Sequence, residues 1–125
     1  MAAADTWRIR HESGDPNGEK LNGCIINRTA IQTELLAPDL TPVAPPQNSV
    51  DPPITFDKFS LLDAPGIEFS LTIHTFEHGI LMDEAHGSWS SKGPDNVPED
   101  GHWTGQAGGG VEAKAESASA ADTSY

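Results

Sequence analysis

The sequence predicts an all-β protein: a small antiparallel β-sandwich, jelly-roll-like, or a partial barrel, followed by a flexible acidic C-terminal arm rich in Gly, Ala and Ser. Three observations predict it. Ile67, Phe69, Leu71, Ile73 and Thr75 alternate with Glu68, Ser70, Thr72, His74 and Phe76, a period of two over ten residues with β-branched and aromatic enrichment. Twelve glycines and ten prolines punctuate the 125 residues at short intervals. No segment sustains the 3.6-residue apolar period of a long helix.

Taken in order, residues 1–4 read as an N-terminal extension and residues 5–91 as the β domain. Trp7 and Ile9 alternate with Arg8 and Arg10, which suits an edge strand blunted by charge. Ser13 to Gly18 is a turn by composition. Leu21 to Asn27 makes a second strand, and Ala30 to Leu36 fits either a strand or a short helix. Within 38–53, six prolines forbid helix and withhold amide donors from any central strand. An extended connector across the surface or along a sheet edge is expected there. Pro42 and Pro45 form one P-x-x-P, a pattern that aromatic grooves read, but a single copy favours the connector.

Residues 54–62 give a strand, and Asp63-Ala64-Pro65-Gly66 has the chemistry of a type II turn. With 67–76 they should form a hairpin. Gly79 breaks the long strand, and Ile80 to Trp89 returns as another, ended by Ser90-Ser91-Lys92-Gly93-Pro94. Residues 92–125 contain no Leu, Ile, Phe or Met, and their larger apolar or aromatic side chains are Val97, Trp103, Val111 and Tyr125. Such a segment buries too little to offset its ordering entropy, so an arm is expected that orders on a partner through Trp103, Val97 and Val111.

Composition narrows function. Leu, Ile, Val and Phe are 24 of 125 residues, enough for one small core. The net charge is −12, and none of the three segments 1–50, 51–91 and 92–125 is basic. Nucleic acid and anionic bilayers are therefore poor partners. No run approaches the roughly 18 to 20 apolar residues of a membrane span. The single cysteine, Cys24, lies in an apolar run and reads as a buried inert thiol. The N-terminus lacks a signal-peptide pattern, so a cytoplasmic protein is expected. Asn27-Arg28-Thr29 matches a glycosylation acceptor by letters alone.

The chemistry-bearing motif is His74-Thr75-Phe76-Glu77-His78, an H-x-x-E-H match. That inverted zinc-protease signature needs a helix, on which i and i+4 converge. On a strand His74 and His78 stand roughly 13 Å apart, at about 3.3 Å per residue. A cupin-like site has no H-x-H to start from here, though His74, His78 and His86 with Glu77, Asp83 and Glu84 would approach across a hairpin. Exposed polar residues on a solvated face are the plainer reading, and no metal or cofactor is expected. Nucleophile elbow, Walker loop, dinucleotide fingerprint and calcium loop are all missing.

Three functions follow in order of preference. The first is a non-enzymatic structural or interaction subunit of an oligomeric assembly, with a protein partner gripped by the arm. The second is a lectin-like carbohydrate-binding module using Trp89 and His86. The third is a small metal-dependent enzyme using the histidine cluster.

Overall fold

The computed structural model describes residues 6–11, 16–78 and 83–107. Among them the chain forms seven strands and one single-turn helix. These are β1 (Thr6–His11), α1 (Pro16–Lys20), β2 (Ile25–Arg28), β3 (Thr33–Leu36), β4 (Ile54–Leu61), β5 (Ala64–His78), β6 (Asp83–Lys92) and β7 (Pro98–Gln106). All pairings are antiparallel, in the order β3-β2-β1-β7-β6-β5-β4. The sheet curls into a nearly closed barrel, within the predicted all-β class and closer to its partial-barrel form than to a sandwich.

Strand alternation explains the core. In β4, Ile54 and Phe56 point inward, and the phase then slips by one residue so that Phe59 and Leu61 do the same. The slip is a bulge, with Lys58 at φ 58°. A second register shift lies in β5 between Ile73 and Thr75, after which Phe76 packs on the core while Glu77 is exposed. Phe69, Leu71 and Ile73 are fully buried before it.

Two reciprocal pairs join β6 to β7. Gly87 lies opposite Trp103, and Trp89 opposite Gly101. Each indole occupies the space that a side chain on the facing strand would need. Trp103 also donates its Nε1–H to the Ser88 carbonyl at 3.1 Å. Both tryptophans are buried, with Trp7 on β1 beside them in the same core.

The segment rich in proline runs along the free edge of β3, as expected of a connector. Thr33 and Gln47 exchange both backbone hydrogen bonds, and Val43 N–H donates to the Leu35 carbonyl. Thr33, itself fully buried, also donates its hydroxyl to the Ser49 carbonyl at 2.7 Å. Covering an edge in this way removes a row of open donors and acceptors.

Of the two readings open for residues 30–36, the strand is the one that forms, over Thr33–Leu36. Three expectations need correction. β1 is not an edge strand but lies between β2 and β7; its alternating arginines mark a solvated outer face, which a central strand also has. The β4–β5 hairpin turns earlier than Pro65-Gly66: Leu61 pairs with Ala64, leaving Leu62 and Asp63 as its loop. Pro65 and Gly66 (φ 86°) sit instead where the register slips from that pair to Phe59 with Phe69. Lastly, the stretch read as an arm from residue 92 contains β7, a central strand. Residues 108–125 lie outside the described residues.

Candidate functional site

Because every pair is antiparallel, β1, β3, β4 and β6 finish at the end of the barrel where β2, β5 and β7 begin. A cleft of about 910 Å³ opens at this upper end. Three segments build it: the approach to β2, the loop leaving β3, and the β4–β5 hairpin. Edge strands β3 and β4 thus contribute to one cleft, which only a curled sheet permits. Cys24, Val43 and Leu61 supply buried or half-buried apolar lining, while Lys20, Asp39 and Asp63 are exposed polar groups around it.

The electrostatics there are quiet. Burial pushes the Cys24 thiol up to about 12; Asp63 adds to the shift and the Arg8 guanidinium opposes it. That thiol stays protonated at neutral pH, in line with the inert reading. The Asp39 carboxyl is held below its usual value by the Thr41 hydroxyl and amide, both of which donate to Oδ1, at 2.7 and 3.1 Å. Leu40, next to it, is held at φ 75°.

At the lower end, among the described residues, a cation sits on aromatic faces. Arg28 lies 4.2 Å over the Phe76 ring and 5.5 Å over Trp7, whose own rings are 4.6 Å apart. Its Nη1 donates to the Val50 carbonyl at 3.3 Å. A cation stacked on two aromatic faces makes a cluster that is apolar inward and polar outward.

The residues singled out from sequence are placed as follows. Trp103 is 1% exposed inside its own chain's core, so it is not available to anchor a partner. Val97 is exposed in the β6–β7 connection, and Val111 lies outside the described residues. Trp89 is 3% exposed and turned inward, so it presents no face to a sugar ring, and its pairing with His86 in one site fails: their side chains alternate to opposite faces of β6. A shallow hollow outside the sheet does gather Thr55, Asp57, Ser70, Ser88, Asp100 and His102, and Trp89 contributes to its lining only the 3% of its surface that is exposed.

The histidine motif lies on β5, as the alternation predicts, so H-x-x-E-H has no helix to work on. His74 bonds to Ser88 through Nε2 at 2.9 Å and stays out of any cluster. The side chain of His78 lies outside the described residues. Three of the expected neighbours do converge: the His86 Nε2 is 3.2 Å from Glu84 Oε1 and 3.8 Å from Glu77 Oε1. Among the described residues no helix is long and apolar enough to cross a membrane.

Set against known proteins, the chain matches no family model, no curated protein and no solved structure. The cleft was invisible to sequence reasoning because its walls come from three distant segments with ordinary loop composition. Leu62 gave no signal of it either, since the sequence reads that residue as the end of a strand and only the pairing of Leu61 with Ala64 puts it at the hairpin tip.

Proposed function

We propose that the protein is a non-enzymatic binding module whose upper cleft takes a ligand with an apolar body and a polar or positively charged end. The cleft itself carries this reading. Its volume falls in the range of about 300 to 1,000 Å³ found for small-molecule sites, and its lining is apolar with a few polar groups at the rim. Two carboxylates against one lysine, on a chain of charge −12, favour a cationic over an anionic end. The lining offers little for catalysis: a protonated thiol and a carboxyl that is a weaker base than usual.

Titration with the apolar dye Nile red tests it. Val43→Trp, which fills the cleft, and Leu62→Asp, at the exposed hairpin tip, should each weaken dye binding at least fivefold while leaving the circular dichroism spectrum intact. Wild-type binding by both variants refutes the reading.

A second reading, an interaction subunit, draws on Leu62, which is 95% exposed beside the cleft. An apolar side chain of a protein partner would then occupy the cleft and cover that leucine. Absolute mass by light scattering separates the two for self-assembly. A monodisperse multiple of 13.3 kDa that Leu62→Asp reduces to monomer supports the interaction subunit, and a wild-type monomer supports the small ligand.

A further inference from the structure

The geometry points to a divalent transition-metal site, of the kind that takes Zn²⁺, on the outer face of the barrel, with Glu77, Glu84 and His86 as its three protein ligands. One ligand atom from each of these residues lies within 4.8 Å of the other two. Around a zinc ion with bonds of about 2.0 to 2.2 Å, neighbouring tetrahedral ligands stand about 3.4 Å apart. The distances of 3.2 and 3.8 Å from His86 Nε2 to the two carboxylates bracket that value. One imidazole nitrogen with two carboxylate oxygens is a donor set that zinc accepts, leaving a fourth position open to solvent.

The register gives an independent reason for an ion there. The shift in β5 after Ile73 sets Glu77 directly opposite Glu84 on the neighbouring strand. Like charges in that relation repel. Among the described residues, the only ion-pair partner either carboxylate has is His86, a cation only when protonated. A divalent ion would reverse the repulsion and fasten β5 to β6. The ligands stand on two directly paired strands, with Thr75 opposite His86 and Glu77 opposite Glu84 close to the end of the β5–β6 hairpin, so the ladder sets their backbone positions before any ion arrives. Thr75 Oγ1 donates to Glu77 Oε2 at 3.4 Å, leaving Oε1 toward the imidazole. His74 takes no part, being bonded to Ser88. This site is separate from the upper cleft and does not depend on its reading.

The test is zinc binding by the untagged full-length chain, followed by competition with a chromophoric zinc indicator, alongside thermal melts with and without excess zinc. One equivalent should bind. His86→Ala and Glu84→Gln should each raise the dissociation constant more than tenfold and abolish the zinc-dependent rise in Tm. In chelator His86→Ala should melt close to wild type, since the side chains are solvent-accessible, and Glu84→Gln at or slightly above it, since it removes the repulsion with Glu77. His74→Ala should bind as wild type does. Three outcomes overturn the assignment: no zinc taken up at 100 µM, uptake unchanged by His86→Ala, or uptake lost in His78→Ala or His102→Ala while His86→Ala retains it.

Discussion

Gly87 and Gly101 occupy equivalent places in the tryptophan pairs, yet they should not respond alike to a methyl group. At Gly87 an added Cβ would run into both the Thr72 carbonyl oxygen and the Trp103 ring. The oxygen belongs to the neighbouring strand and cannot move without the sheet. Gly87→Ala is expected to lose on the order of 3 kcal/mol or more, or not to fold. At Gly101 the obstacle is the Trp89 indole alone, 2.8 Å away. A ring can tilt, so Gly101→Ala should cost about 1 to 2 kcal/mol. Urea unfolding measures both, and equal losses would contradict the argument. Cys24 makes a different prediction. Its thiol is raised from 9.0 to about 12 by burial, so above pH 9 the unfolded chain releases a proton that the folded chain keeps. Stability attributable to this group should therefore fall between about pH 9 and 12, by about 1 kcal/mol per pH unit. Cys24→Ala should show a shallower decline over pH 8 to 10.5, and parallel curves would remove the effect. Sequence alone identified the thiol as buried, because its neighbours are isoleucines. It misplaced Trp103 and left Trp89 divided between core and ligand site, because the residues flanking both are polar and the glycines that leave room for the indoles lie on the facing strands.

At the scale of elements, legibility follows how each strand fills its inward positions. β5 was plain, since Phe69, Leu71 and Ile73 carry their own apolar bulk. β7 was not, because its inward positions include Gly101 and Gly105, with Trp89 against the first and Trp7 beside the second. A strand that borrows its hydrophobic volume from its neighbours looks like a tail when read alone. This reverses the consequence of truncation. Ending the chain at Ser91 would remove β7 and leave β1 and β6 without the strand that joins them. Such a chain should show no cooperative thermal transition, whereas one ending at Ala107 keeps all seven strands and should melt cooperatively. A folded, cooperative 1–91 fragment would show that β7 is dispensable. The position of β1 misled for a related reason: alternating arginines report a wet face, and only pairing partners report an edge.

For the whole molecule, an antiparallel sheet with Gly/Pro turns was legible as a class, with a partial barrel among its expected forms, but composition did not choose between a sandwich and near closure. The sheet also carries bulges at Lys58 and after Ile73, single-residue slips that leave little trace in composition. The upper cleft exists only through that closure, which is why no local motif announced it. The Glu77–Glu84–His86 group was half legible: the residues were in view as candidates, but their convergence, and the exclusion of His74, wait on a register set by the bulge. The reciprocal tryptophan–glycine pairs have one more consequence, for how β6 and β7 find each other. Slide β7 by two residues one way and Trp89 meets Trp103 while Gly87 faces Gly105; slide it the other way and Trp89 meets Glu99 while Gly87 faces Gly101. Each misalignment stacks bulk on bulk or on charge in one place and opens a hole in another. The correct alignment is thus written partly in missing atoms, as a key's profile is written in its cuts, and a foreign strand would fit β6 only with a notch opposite Trp89 and bulk opposite Gly87.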